Sequence, residues 1–462
     1  MPVMNRSGEG HAVVLAWPFT SHPFALFNLT CKLAAFAPQV QFSFISTEEC
    51  NGSIINAKNL DVPINVKSYN VDDGLPKHPK RPVTPQEEAG FFVSLIPENF
   101  KSGMREAVTK TGRNITRLMA DGVLSYAAGK LAEDMKVPWV AFWVPTPYAL
   151  SAHLHMHLIA DIYRNGGDQT LDAIPGLSKI LIEDLPQEVL LRDQSYPDSS
   201  PVLLAMEQMS EWLPKASAVV MNSYEELNST LLTKDLKSKF QNLFYVGFLT
   251  IPVPLPPASG PDVTGCLPWL DNQKASSVVY ISFGTLVVPP PKELAALAEA
   301  LEASGVPFLW SLKDNFRSCL PEGFIERTRL QGKVVPWAPQ SRVLAHSSIG
   351  AQVSHCGFNS LAESILGGVP LICRPVWTDN HMNARMAEEE WGIAVGIEGE
   401  VITKSGMVES LKTVFQHDKG RQMKEAICAL RETVLNAAGP DGVAANDFKA
   451  LAQMVAQNKC QE

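Results

Sequence analysis

What most constrains this chain is a rhythm that starts, stops and starts again. Short apolar runs alternate with stretches of helical spacing from residue 11 onward. Strand candidates lie at 11–17 (HAVVLAW), 40–45, 115–120 (ITRLMA), 137–143 (VPWVAFW) and 218–222 (AVVMN), and helices read well over 23–36, 124–135 and 148–164. Residues 251–261 (IPVPLPPASGP) then hold five prolines in eleven positions with no periodicity. Proline lacks the backbone donor that a helix or ladder needs, so this segment suits an extended linker. Beyond it the alternation resumes, with strands at 277–283 (SVVYISF), 306–312, 333–337, 350–355, 369–373 and 393–397 and helices at 292–303, 360–366, 381–389 and 405–415. Strands alternating with helices fold as a parallel sheet covered on both faces. A chain of 462 residues also exceeds what one core comfortably organises. The expectation is α/β, with two doubly wound domains at 1–248 and 263–462, a linker at 249–262, and a last helix free to pack back on the first domain. Ligands of such sheets bind beyond the carboxyl ends of the strands, and two facing domains would set those ends across one cleft.

Charge narrows the partners. The net charge is −9 and no Lys/Arg-rich run stands out, which argues against nucleic acid and anionic membrane. Eight cysteines are scattered with no CxxC pair, so they read as reduced thiols of a cytoplasmic protein. No apolar run reaches the ~20 residues of a membrane span, and no signal-peptide pattern frames the first strand. His153, His155 and His157 alternate, but on a helix only the outer two share a face, and no carboxylate motif accompanies them. Nor is there a DxD triplet anywhere to bridge a metal to a sugar nucleotide. No metal and no cofactor are expected.

The densest chemistry lies at 349–380, IGAQVSHCGFNSLAESILGGVPLICRPVWTDN. A strand ending at His355 turns through Gly357 into a helix that Asn359 or Ser360 can cap. Exposed N–H groups and the positive end of the helix dipole suit a phosphate. His355 can donate to that phosphate, and Glu363, one turn on, can accept from ribose hydroxyls. Upstream, His22 lies in the loop PFTSH after the first strand and Asp121 follows the strand ITRLMA. A histidine with a pKa near neutrality can deprotonate a phenol, and a carboxylate can orient its ring and stabilise the imidazolium.

With Trp337-Ala338-Pro339-Gln340 opening this segment and Asp379-Asn380 closing it, the chain resembles the signature box of the plant secondary-product UDP-glycosyltransferases. The likeness extends to SFGT (282–285) and LPEGF (320–324). It implies the GT-B fold, with an acceptor on the N-terminal domain and a UDP-sugar co-substrate on the C-terminal one. By position, Trp337 would stack on uracil, Ala338 and Gln340 would contact the uridine, and Glu363 the ribose. His355, Asn359, Ser360 and Thr285 would hold the diphosphate, and Asp379 and Asn380 the sugar. His22 would be the base of a single inverting displacement, paired with Asp121. PQE (85–87) and LSAH (150–153) resemble the flavonoid 3-O-glycosyltransferase branch, making Thr20, Gln86 and His153 acceptor contacts.

Three positions depart from the glucose-using pattern: Val144 stands for a Thr, Phe358 for a Trp and Asn380 for a Gln. A methyl-lined pocket without the Thr hydroxyl suits a sugar whose C6 is a methyl. The expectation is therefore a monomeric flavonol 3-O-rhamnosyltransferase using UDP-rhamnose. The alternative is a UDP-glucose-dependent flavonoid or anthocyanidin 3-O-glucosyltransferase, and the remote one an inactive nucleotide-sugar binder. A dinucleotide oxidoreductase would need G-x-G-x-x-G after the first strand, where PFTSH stands instead.

Overall fold

The computed structural model describes residues 10–56, 61–76, 83–164, 170–190, 201–258, 262–284, 288–377 and 379–457. They form two compact units. The first comprises the described parts of 1–166, 188–250 and 438–462, and the second those of 167–187 and 251–437. Residues 170–187 thus lie with the second unit although they precede the proline-rich segment.

The first unit is built on a sheet of β1 (His11–Leu15), β2 (Gln41–Thr47), β3 (Val66–Val71), β4 (Arg117–Asp121), β5 (Trp139–Trp143), β6 (Ala218–Met221) and β7 (Leu243–Tyr245). The strands run in the order β3-β2-β1-β4-β5-β6-β7, and every pairing is parallel. Every residue of β1, β4, β5 and β6 is buried, as expected of strands covered on both faces. Val14 sits in register with Phe44 on one side and Met119 on the other. Phe44 in turn meets Phe27 of the helix His22–Phe36 edge to face, with centroids 5.0 Å apart. The helix Val443–Ala456 buries Leu451, Ala452 and Val455 in this same core. It is tied down where Arg117 donates to the Met454 carbonyl and Asp447 accepts from the Tyr245 N–H, both at 2.8 Å.

The second unit repeats the plan with β8 (Val278–Ser282), β9 (Phe308–Ser311), β10 (Gly332–Val335), β11 (Ile349–Ser354), β12 (Leu371–Cys373) and β13 (Ala394–Gly396). Their order is β10-β9-β8-β11-β12-β13, all parallel. In each unit the strand order reverses direction once, between β1 and β4 and between β8 and β11. At such a switch point the connections leave to opposite sides and open a crevice at the carboxyl ends. Two doubly wound, Rossmann-like α/β units are therefore present.

Some elements depart from the sequence reading. The stretch 148–164 is two helices, Pro147–Leu154 and Met156–Arg164. At the break the His155 ring bonds to the Ser151 carbonyl (2.9 Å), which the His155 N–H also reaches. His153 and His157 therefore lie on different helices and do not share the one face expected of them. The helix expected over 381–389 is a short α-helix, Asn380–Arg385, that widens into a π turn, Met386–Glu390.

A nearly buried ion pair fastens the second unit. Glu293, on the helix Pro291–Ser304, receives two hydrogen bonds from Arg374 (2.6 and 2.8 Å) and one from the Ile402 N–H (2.9 Å). Burial pushes the Glu293 carboxyl up, but these donors and the guanidinium charge outweigh it and hold the pKa below the ordinary value. Glu293→Ala orphans Arg374 and is expected to cost about 3–5 kcal/mol, read as a shift in urea midpoint. Since the folded pKa is the lower one, the wild-type contribution is present at neutral pH and lost as pH falls below the carboxylate range; the variant shows a weaker acid dependence there.

Candidate active site

The first unit carries a histidine–carboxylate pair at its switch point. Asp121 is the last residue of β4 and 1% exposed. His22 opens the helix that follows β1. Its Nδ1 lies 2.8 Å from Asp121 Oδ2, while Asp121 Oδ1 accepts from the Val123 N–H at 3.0 Å and so caps the turn Gly122–Leu124. An ionised carboxylate can only accept, so the proton of a neutral ring sits on Nδ1 and the lone pair on Nε2, the arrangement of a general base. Before it, exposed Thr20 adopts a left-handed φ of 59°.

Two other expected residues of this unit differ in setting. Gln86 is exposed on the first turn of the helix Pro85–Ser94, whose start is fixed by a Thr84–Glu87 capping box. His153 is buried, its ring edge-on to Trp143 with centroids 5.7 Å apart. Its Nδ1 has no hydrogen-bond partner among the described residues. Burial lowers its pKa to about 4. Val144 is buried within the apolar core cluster of the unit.

In the second unit the turn after β11 is compact. Cys356 takes a positive φ of 66°, and Gly357 begins the helix Phe358–Gly367 with no side chain capping it. The expectation that Asn359 or Ser360 caps this helix is thus corrected: both lie inside its first turn. The positive end of the helix dipole points out of this turn, where it favours a ligand of negative charge. Two glycines make room for the His355 ring. A Cβ on Gly357 would stand 2.5 Å from its Nε2, and one on Gly284 2.9 Å from its Cε1. Burial lowers the His355 pKa to about 4, and its Nδ1 has no partner among the described residues. A neutral imidazole of this kind can donate one hydrogen bond to an anion without itself being charged.

Around the same helix, Gln340 donates to Glu363 (2.6 Å) and to Ser360 (3.1 Å), and accepts from Tyr280 (3.2 Å). Ser341 donates to the other Glu363 oxygen at 2.5 Å. Burial raises the Glu363 pKa against the pull of those two donors. Three sequence candidates are therefore bonded to one another, joined by Tyr280 and Ser341, which sequence reasoning missed; the adjacency of Ser341 to Gln340 was the one available signal. Ala338 is buried, whereas Trp337 is 60% exposed, a large aromatic face left open where most others are covered. Phe358 is buried at the start of the helix and Asn359 is half-buried. Asn380 is buried and donates to the His355 carbonyl at 2.6 Å. Thr285 lies outside the described residues. Among those residues no group of three or more His, Cys, Asp or Glu is arranged to hold a metal ion, and no helix is long and apolar enough to cross a membrane.

Both buried imidazoles generate a prediction. His153 and His355 stay neutral at about pH 5.5, where an ordinary histidine is mostly protonated. Nitrogen-15 NMR of the ring reads this directly, and a charged signal from either would contradict the burial argument. Because the unfolded chain binds those protons and the folded one does not, both residues make stability fall as pH drops from about 6.5.

Comparison with known proteins supplies the wider setting. Residues 265–432 match the family model for UDP-glucoronosyl and UDP-glucosyl transferase. An anthocyanidin 3-O-glucosyltransferase of Vitis vinifera is 44% identical over 97% of this chain and 98% of its own. A flavonol 3-O-glucosyltransferase of Actinidia chinensis var. chinensis is 43% identical over 96% of each. The crystal structure of a UDP-glucose: anthocyanidin 3-O-glucosyltransferase in complex with UDP superposes with a TM-score of 0.90, at 38% identity, covering 97% of this chain and 99% of that one. A histidine–carboxylate pair at one switch point, a strand–glycine–helix turn at the other, and likeness over nearly the whole length agree: the chain belongs to the plant UDP-glycosyltransferase family, enzymes whose co-substrate is a UDP-sugar.

Proposed function

We propose that this enzyme transfers a hexosyl group from UDP-glucose to the 3-hydroxyl of a flavonoid, flavonols included, by a single inverting displacement. The observation that carries the reading is the His22–Asp121 hydrogen bond of 2.8 Å with the carboxylate buried behind the ring. His22 Nε2 takes the phenolic proton. The oxygen attacks the anomeric carbon, and UDP departs. Asp121 keeps the ring in the right tautomer and stabilises the imidazolium.

The remaining roles follow the chemistry of each group. Trp337 stacks on the uracil, with the Ala338 backbone and Gln340 beside it. Because both Gln340 amide hydrogens are engaged, by Glu363 and Ser360, its carbonyl is what it offers to uridine. Glu363 accepts from the ribose. His355, Asn359, Ser360, Thr285 and the helix start meet the charge that develops on the departing diphosphate. Asp379 and Asn380 bond sugar hydroxyls. Thr20, Gln86 and His153 contact the acceptor, and the unpartnered Nδ1 of His153 supports that assignment. The first unit thus takes the acceptor and the second the donor. We infer a monomer acting in the cytoplasm, a setting that suits the free cysteines among the described residues.

Glucose is the preferred donor because the relatives described above are named as glucosyltransferases and because Val144, one of the three residues favouring rhamnose, is part of the core cluster. A second reading, transfer of rhamnose, draws on Asn380: one of its two amide N–H donors goes to the His355 carbonyl, leaving one N–H and the amide oxygen for a sugar with fewer hydroxyls.

The test incubates pure protein with kaempferol or quercetin and, separately, UDP-glucose, UDP-galactose and UDP-rhamnose, with products read by mass. A hexose adduct forming fastest from UDP-glucose is expected; a faster deoxyhexose adduct would favour rhamnose, and no adduct from any donor would sink the flavonoid assignment. His22→Ala is expected to lower kcat by about 10²–10⁴-fold with UDP binding retained. Wild-type turnover in that variant would remove His22 from the mechanism.

A further inference from the structure

The short helix Asn380–Arg385 follows β12 and presents two buried asparagines one turn apart. Asn380 is 8% and Asn383 0% exposed. Their amides donate to consecutive carbonyls of the turn after β11: Asn380 to His355 at 2.6 Å and Asn383 to Cys356 at 3.1 Å. The left-handed Cys356 is what turns two successive carbonyls toward one helix. Asn383 also donates to Asp379 Oδ2 at 3.2 Å. A primary amide has two N–H donors, and here one goes to the backbone of the phosphate turn and the other to a carboxylate.

We infer that Asn383 is a positioning residue for donor-sugar recognition, locking the Asp379 carboxylate to the turn that carries His355. The inference rests on the reading of Asp379 as a sugar contact. A carboxylate on a single-residue rotor samples several rotamers unless a neighbour holds it, and each lost rotamer sharpens its bond to a sugar hydroxyl. Leucine, alanine or serine at 383 could fill part of the space, but none can donate to two acceptors at once. The packing requirement alone does not call for asparagine there, whereas the two acceptors do.

The test is a double-mutant cycle on binding, with UDP and UDP-glucose as the probes and isothermal calorimetry as the readout. The quantity of interest is the loss of UDP-glucose affinity beyond any loss of UDP affinity, which isolates the sugar. Asp379→Ala is expected to give an excess loss of roughly tenfold, Asn383→Ala a similar one, and the double variant no more than either alone. Multiplying losses, or an Asn383→Ala variant whose losses for UDP and UDP-glucose are equal, would overturn the inference and leave Asn383 as packing. Should Asn383→Ala unfold, Asn383→Asp keeps the shape while replacing the donor by a group that repels Asp379, and the same excess is expected. If Asp379→Ala itself shows no excess, the sugar role of Asp379 fails and takes the inference with it. The cycle needs no acceptor, so failure of flavonoid transfer leaves it readable.

Discussion

A carboxylate at the end of a fully buried strand has to be met by donors, and at Asp121 two of them are the Val123 N–H and the His22 ring. Leaving such a charge uncompensated is among the costlier things a fold can do. The parallel sheet creates the situation. With both faces covered, a polar group that needs a ligand is best placed at a strand end, and the switch point between β1 and β4 opens a crevice at the carboxyl ends. The helix that begins at His22 supplies a compensating donor, so the interaction that satisfies the buried acid also sets the tautomer of the His22 ring. Structure and chemistry there depend on one hydrogen bond.

In the role proposed for it, the second unit meets the opposite problem, how to receive negative charge without storing positive charge. His355 is buried to the point of neutrality, with glycines at 284 and 357 giving its ring room. A helix that starts at Gly357 with no side-chain cap completes the arrangement. Donors fixed in this way need little reorganisation when charge develops on a leaving group. Gln340, Ser341, Ser360 and Glu363 are bonded to each other, which holds their polar atoms in place before any ligand arrives.

The architecture was legible because its signal is local. AVVL in HAVVL and LMA in RLMAD are the apolar runs that a doubly covered strand demands, and their alternation with helices implied two parallel sheets. The break at His155 was not legible, since a ring competing for the Ser151 carbonyl leaves no mark in hydrophobic spacing. Asn359 and Ser360 suggested caps because that residue type prefers them, yet the turn geometry gave the position to Gly357. Partnerships across long separations were equally silent. Nothing near Glu293 announces Arg374, nothing near Tyr280 announces Gln340, and no pattern in 170–187 signals that Asp184 pairs with Arg385 of the second unit. Asn383 could have been suspected from its place one turn beyond Asp379, but its second acceptor, the Cys356 carbonyl, emerges only from the fold.

The mechanism proposed above is a single displacement, and a single displacement inverts configuration. The most direct test is therefore the anomeric configuration of the glycoside formed from UDP-glucose, whose glucosyl–phosphate bond is α, read by proton NMR of the purified product. A β-glycoside is the expected result. An α-glycoside would mean net retention, which a single in-line displacement cannot give, and would contradict the role assigned to His22 and Asp121.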